Sequence, residues 1–263
     1  MKIVSLNIWD LPVWFVQDRD KRLIRINDFL KNLDPDIICL QESFDPEHRR
    51  QLNDLLRVRG YETSDKDVRR RSVLGRMMDM TGGLVTYAKF PIRKNRFIPF
   101  SRLFFSPIEY LGRKGGLITS LDTPYGIVRI INAHLSKGFI CPQTVRLQQM
   151  KKILRNIPFF ESIATIMAGD FNQRDLARNK KFLKLIKENH FIFPSCDTFA
   201  PSYRAENIYV NIWMNRITRS KRIDYFLFNN LHMLHLRPEQ CAAVYPDPPL
   251  SDHDPVVLDL HPV

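Results

Sequence analysis

The sequence predicts an α/β protein with mixed sheets, and three observations carry that expectation. Short apolar β-rich runs alternate with amphipathic helical stripes in both halves of the chain. Many strands between them follow one another with no helix in between, so antiparallel pairs must accompany parallel ones. Hydrophobic residues make up 44% of the 263, enough for a full core and too many for global disorder.

The elements follow in order. Lys2–Ile8 alternates and is β-rich, so it reads as a strand. Arg19–Leu33 has apolar residues at 23, 24, 26, 29, 30 and 33, a helical stripe that Pro35 stops. Asp36–Gln41, built on IICL, reads as a buried strand ending at Gln41-Glu42, and Pro46–Val58 reads as a second helix. Gly83–Tyr87 and Phe90–Ile98 are expected strands; Gly115–Leu121 and Gly126–His134 form an expected hairpin around Thr123-Pro124-Tyr125-Gly126. Val145–Leu154 is helical by spacing, Ala164–Ala168 is a short strand running into Gly169-Asp170, and Leu176–Glu188 is helical. Arg222–Phe228, Cys241–Tyr245 and Pro255–Leu260 complete the strands. No linker, repeat or low-complexity segment divides the chain, so 1–263 reads as one domain. This pattern leaves strand order open.

The net charge of +12 favours anionic partners: nucleic acid, an anionic membrane surface or a phosphorylated substrate. Basic residues are spread through Arg69–Arg76, Lys151–Arg155, Arg174–Lys187 and Arg216–Arg222. No apolar run approaches the roughly 18–20 residues that span a bilayer. The N-terminus lacks the continuous apolar segment of a signal peptide. The expectation is a soluble protein made without Sec export, cytoplasmic or peripheral at a membrane surface. Cys39, Cys141, Cys196 and Cys241 are scattered, with no CxxC or Cys/His cluster, and read as reduced thiols rather than a zinc site.

Several strands end in residues that an apolar strand does not need. The first ends near Asn7, the next at Glu42, another at Asn132-Ala133-His134, and another at Asp170 with Asn172 beyond it. Asp224 starts RIDYFLF, and Ser251-Asp252-His253 precedes the last strand. Carboxylates and imidazoles gathered at strand ends are how an open α/β sheet builds a site.

Metal-assisted phosphodiester hydrolysis is the chemistry this set can share. Glu42, Asn7 and a further carboxylate, Asp252, offer hard oxygen ligands that suit Mg²⁺. His253, with Asp224 raising its pKa, can take a proton from the attacking water. Asp170 can orient or deprotonate that water, and Asn172 and His134 can hold the phosphate and stabilise its growing charge.

These residues, with their neighbours, resemble the endonuclease/exonuclease/phosphatase superfamily. The matching pieces are LNIW at 6–9, LQES at 40–43, GGLVTYAKFPI at 82–92, NAHLS at 132–136, GDFNQ at 169–173, RIDYFLF at 222–228 and SDHDPV at 251–256. GDFN or SDH alone is weak; the ordered set spans nearly the whole chain. The resemblance implies a four-layer α/β sandwich, two packed mixed β-sheets flanked by helices, and a Mg²⁺-dependent phosphodiesterase or phosphatase. It implies Asn7, Glu42 and Asp252 at the metal, Asp170 and Asn172 at nucleophile and phosphate, His134 on phosphate, and Asp224 orienting the base His253. One position departs from the pattern: many nuclease members carry Asp two residues after the first-strand Asn, where this chain has Trp9 followed by Asp10.

Within the superfamily, LNIWDLPVWFVQDRDKRLIRINDFL resembles the start of neutral sphingomyelinases, and residues 97–116 resemble the region before their Lys-Gly strand, matched by Lys114-Gly115. Trp14, Phe15, Phe104, Phe105 and Lys114 are therefore candidate substrate-binding residues. The aromatics either dip into a membrane interface or fill the core. The preferred expectation is phospholipase C-type cleavage of a phospholipid such as sphingomyelin. A DNA or RNA nuclease is the alternative, which the charge fits equally. A phosphoinositide phosphatase ranks third, because its Pro-Ala-Trp-Cys-Asp-Arg signature is replaced by Ser220-Lys221-Arg222-Ile223-Asp224. An inactive member that binds lipid or nucleic acid is the non-enzymatic alternative.

Overall fold

Alternation along the first strand sorts its side chains between two layers. In β1 (Lys2–Asp10) Val4, Leu6 and Ile8 join an apolar cluster with the outer helices, whereas Ile3 joins the cluster between the sheets. Ser5 and Asn7 continue the Ile3 face, and both are buried. The inner layer thus turns from apolar to polar as β1 runs toward its carboxyl end.

The structure, a computed structural model, describes residues 1–67, 82–100, 113–137, 142–158, 163–210 and 219–263. Arg69–Arg76, Phe104, Phe105 and Cys141 lie outside these residues. After β1 come α1 (Arg19–Leu33), β2 (Ile37–Ser43), α2 (Pro46–Val58), β3 (Glu62–Thr63), β4 (Val85–Ala88) and β5 (Ile92–Pro99). The hairpin β6 (Gly115–Thr123) and β7 (Gly126–His134) leads to α3 (Gln143–Arg155), β8 (Ala164–Asp170) and α4 (Lys180–Glu188). The last strands are β9 (Asp224–Asn229), β10 (Leu236–Ala243) and β11 (Val256–Pro262).

Six strands form one sheet in the order β10-β11-β1-β2-β4-β3, and five form the other in the order β5-β6-β7-β8-β9. Each sheet holds one parallel pair, β1–β2 and β7–β8; the remaining pairs are antiparallel. The sheets pack face to face over Ile3, Ile37, Val128, Ile166, Phe228 and Leu258. The outer face of the six-stranded sheet is covered by Leu23, Ile26 and Leu30 of α1 and Leu52 and Leu56 of α2. The five-stranded sheet is covered by Met150 and Ile153 of α3 and Phe182 and Ile186 of α4. The result is the expected four-layer α/β sandwich.

Local chemistry explains the boundaries. Asp45 caps α2 by accepting from Glu47 N (2.8 Å) and His48 N (3.2 Å), and Pro46 takes the first turn. The expected single helix Leu176–Glu188 is instead a 3₁₀ turn, Leu176–Arg178, followed by α4, because Asn179 is extended and caps Phe182 N (3.4 Å). The expected strand Cys241–Tyr245 starts earlier, at Leu236; β10 is an edge strand, where Pro238 and a bulge are tolerated. Cys39 and Cys241 are buried and Cys196 half-buried, all as free thiols.

Candidate active site

The carboxyl ends of the two parallel pairs face each other across the sandwich, and the polar residues meet there. Asn7 ends the inner face of β1, and its Nδ2 donates to Glu42 Oε1 (3.1 Å) on β2 and to Asp170 Oδ2 (3.2 Å) on β8. One amide therefore ties together carboxylates from both sheets. Its Oδ1 accepts from Trp9 N (3.0 Å), which sets the amide's direction. Trp9, Glu42 and Asn172 have φ values of 47°, 54° and 48°, so the chain turns left-handed at three points around the site. For Trp9 and Glu42 this costs about 1–2 kcal/mol each. Strain of that kind persists where surrounding contacts over-determine it.

Asp170 is the hub. Its Oδ1 accepts from Asn172 N (2.8 Å) and its Oδ2 from Asn172 Nδ2 (3.0 Å). His134 Nε2 lies 3.4 Å from Asp170 Oδ2 and 3.6 Å from Glu42 Oε1, and neither nitrogen of this buried ring has a hydrogen-bond partner among the described residues. Burial opposes charge on Asp170 and Glu42, but nearby His253, His134 and Lys114 outweigh it and hold both below the usual carboxylate range.

A buried imidazole–carboxylate pair lies beside the hub. His253 Nδ1 is 2.9 Å from Asp224 Oδ2, and His253 Nε2 is 3.8 Å from Asp170 Oδ2. Burial disfavours the imidazolium, yet Asp224, Asp252 and Asp170 around it win and raise its pKa to about 10. Asp224 and Asp252 are pushed up, first by burial and then by like charge, from Asp170 and Glu42 respectively. Cations surround the mouth. Lys114 Nζ donates to Leu135 O (3.3 Å), which also takes Asn172 Nδ2 (3.0 Å). Lys221 lies over the Tyr203 ring (5.6 Å); burial, then Lys137 and Arg174 beside it, lower its pKa.

A sequence model of the endonuclease/exonuclease/phosphatase family matches residues 13–253. The chain belongs to the endonuclease/exonuclease/phosphatase family. No curated protein matches it in sequence. Its fold is similar to a beta toxin double mutant from Staphylococcus aureus with bound magnesium ions (TM-score 0.71, 20% identity, 98% of each chain covered). It is similar to sphingomyelinase C from Streptomyces griseocarneus (TM-score 0.72, 18% identity, 98% of each chain). It also resembles a humanized D. rerio TDP2 (TM-score 0.67, 14% identity, 99% of this chain and 98% of that one). Endonuclease/exonuclease/phosphatase proteins are hydrolases acting on phosphoester bonds.

Within this family frame, the structure gathers Asn7, Glu42, His134, Asp170, Asn172, Asp224, Asp252 and His253 in one cluster, buried except for half-buried Glu42 and Asn172. Asp10, next to the position where many nuclease members carry Asp, turns away. Its Oδ1 takes Arg19 Nε (2.9 Å) and His48 Nδ1 (3.0 Å). Lys114 reaches the site. Trp14 is 85% exposed and Phe15 half-buried, their rings edge-to-face at 5.8 Å. That excludes the core reading for Trp14. Phe104 and Phe105 lie outside the described residues.

Sequence reasoning missed the supports. Gln41 Nε2 donates across the sheets to Asn132 Oδ1 (2.8 Å), and Asn132 Nδ2 donates to Leu40 O (2.9 Å) and Val85 O (3.0 Å). From α3, Gln149 holds Ser136 (2.7 Å to Oγ) and Arg146 holds Gln173 (3.0 Å), steadying the segment that follows His134 and the one that carries Asn172. Inner-face position, which alternation supplies, was the available signal for Gln41 and Asn132.

Proposed function

We propose that the chain is a metal-dependent phosphodiesterase, with Mg²⁺ the preferred ion, that cleaves a phospholipid such as sphingomyelin in the manner of a phospholipase C. The observation that carries the reaction class is the Asn7–Glu42–Asp170–His253–Asp224 chain of contacts at the facing strand ends.

The donor set fits a hard dication. Glu42 and Asp252 are close enough for like charge to raise the Asp252 pKa. Atoms of Asp170, Asp224 and His253 also lie within 4.8 Å of one another, which suits a metal geometrically. That trio includes the tight imidazole–carboxylate pair, which we assign to proton handling; Glu42 and Asp252, with the Asn7 amide beside them, are assigned to the metal. Held by Glu42 and Asp252, such an ion would polarise the phosphoryl oxygen, steady the leaving oxygen and, by offsetting Asp252, reduce the upward pull on the His253 pKa. Asp170 orients the attacking water, His253 takes its proton, and Asp224 stabilises the resulting imidazolium. His134, Asn172 and Lys114 face the phosphate and its developing charge.

The lipid preference is supported by Trp14, an amphipathic ring presented to solvent beside the site-bearing end of β1. The second reading, a nuclease, is supported by the like-charged Lys137, Arg174 and Lys221 near the mouth, which suit a polyanion. Sphingomyelin vesicles and plasmid DNA, each with Mg²⁺ and with EDTA, separate the two. Phosphocholine release that needs Mg²⁺ and falls roughly 10²–10⁴-fold in His253→Ala is expected. DNA cleavage without lipid turnover would transfer the assignment to the nuclease, and full activity in EDTA would remove the metal.

A further inference from the structure

Ser202, Tyr203 and Arg204 are consecutive, and they contact in turn Asp224, His253 and its neighbour Asp254. We propose that this tripeptide is a positioning clamp that sets the Asp224–His253 geometry, with the Ser202 hydroxyl as its working group. The inference rests on the phosphodiesterase reading of the site.

Ser202 is fully buried. Its Oγ accepts from Ile223 N (3.2 Å) and Asp224 N (3.1 Å), and Asp224 Oδ2 lies 2.6 Å away. A hydroxyl has two acceptor lone pairs and one proton. With both lone pairs committed to backbone N–H groups, the proton points at Asp224 Oδ2. The same oxygen faces His253 Nδ1 at 2.9 Å, while Oδ1 is buried with no hydrogen-bond partner among the described residues. The rotation of this carboxylate therefore depends on the two donors that share Oδ2. Without the hydroxyl, only the imidazole holds the carboxylate's rotation.

The rest of the tripeptide holds the other side of the pair. The Tyr203 ring meets the His253 ring edge-on at 5.1 Å. Arg204 grips Asp254, the residue after His253, through Nε (2.7 Å) and Nη2 (3.1 Å). The clamp's own backbone is pinned: Ser202 N donates to Lys221 O (2.9 Å), and Ser202 O accepts from Asp254 N (2.8 Å). Asp224 begins β9 in the five-stranded sheet, whereas His253 and Asp254 lead into β11 in the six-stranded one. A pair drawn from two sheets needs a third element to fix its alignment, and this segment bonds to both members' strands.

The test uses bis(p-nitrophenyl) phosphate, a soluble diester, and the full chain. Ser202→Ala is expected to lower kcat about 10–100-fold, as loss of a buried orienting bond does, with little change in KM. In the His253→Ala background it is expected to lower kcat no further, since the clamp acts through His253. A low-field proton resonance from His253 Nδ1–H is expected to move or broaden in Ser202→Ala. Arg204→Gln, at a side chain 23% exposed, is the second variant should Ser202→Ala not fold, with a smaller KM-neutral loss expected. An unchanged kcat in a folded variant, or an equal extra loss on top of His253→Ala, overturns the clamp. If the wild type hydrolyses no phosphodiester, the functional reading falls instead, and the resonance alone decides the clamp: an unmoved line overturns it.

Discussion

Gly169 shows how tightly single residues are specified here. Its φ is +139°, and a Cβ built on it would sit 1.9 Å from Ala133 O, so a side chain is excluded by backbone. That close approach seats Asp170 opposite His134 in the register of β7 and β8. AGDFN advertised its acid and amide in the sequence; the reason for its glycine lies in a neighbouring strand. Asp10 is a similar case. Its charge was visible, but its engagement with His48, 38 residues away, has no local signature. His48 Nε2 also faces Asp20 Oδ1 at 2.8 Å, so both ring nitrogens meet carboxylates. The Asp10 hydrogen bond outweighs burial and raises the His48 pKa. For a raised histidine the stabilisation is complete below the unfolded value of about 6.5 and disappears as pH rises through the folded value. Wild type is expected to exceed His48→Gln by about 1–2 kcal/mol in urea titrations near pH 6, with the gap closing toward alkaline pH. A gap that widens with pH would contradict this. The exposed Asp20 contributes the smaller share, because water screens it.

At the scale of elements, the loop between β1 and α1 combines a fixed base with an offered tip. Buried Arg22 of α1 donates to Ile8 O (2.6 Å), Trp9 O (2.9 Å) and Gln17 O (2.9 Å), binding both loop ends to the helix. Tyr209 reaches in from a distant segment, its hydroxyl donating to Asp18 Oδ2 (3.2 Å). Trp14 projects from this braced loop. Because it adds little to the core, Trp14→Ser is expected to leave the melting temperature nearly unchanged. Vesicle binding should weaken roughly 10–100-fold, the worth of burying one large apolar side chain at about 1.5–3 kcal/mol, while turnover of a soluble diester is spared. Parallel losses on both substrates would assign Trp14 to the site itself. Elements with strong periodicity and punctuation were legible: α1 and α2 match their expected bounds because Pro35 and the Asp45-Pro46 cap mark them. β10 was misplaced because an exposed edge strand carrying Pro238 has no apolar signal, and the two-residue β3 is too short to have any pattern.

Across the whole molecule, the two sheets are joined by polar contacts as well as apolar packing. Asn132 reaches from β7 to Leu40 O and Val85 O, carbonyls of the opposite sheet, at a position with no exposure. Asn132→Ala would remove the side-chain donor from both carbonyls and one of the three partners of Gln41 Nε2, which keeps Ser5 Oγ and Cys39 O. It is expected to cost about 2–3 kcal/mol, read as a lower urea midpoint, with turnover falling because the facing strand ends separate. A variant of unchanged stability would show that the bridge is dispensable. The layered architecture and the roster of polar strand ends were legible because alternation and residue type are local properties. The pairing of those ends across sheets was not, since Asn7 and Asp170 are 163 residues apart.

β11 completes the six-stranded sheet from inside, lying between β10 and β1, and the segment entering it delivers Asp252 and His253. His253, assigned above to proton handling, follows Asn7, Glu42 and Asp170 along the chain and reaches its station only when the segment entering β11 docks beside β1. During synthesis the nascent chain carries Asn7, Glu42 and Asp170 but has no complete hydrolytic set. Onset of turnover in a refolding experiment should thus come no earlier than closure of the β1–β11 ladder, which would make catalysis a readout of that docking.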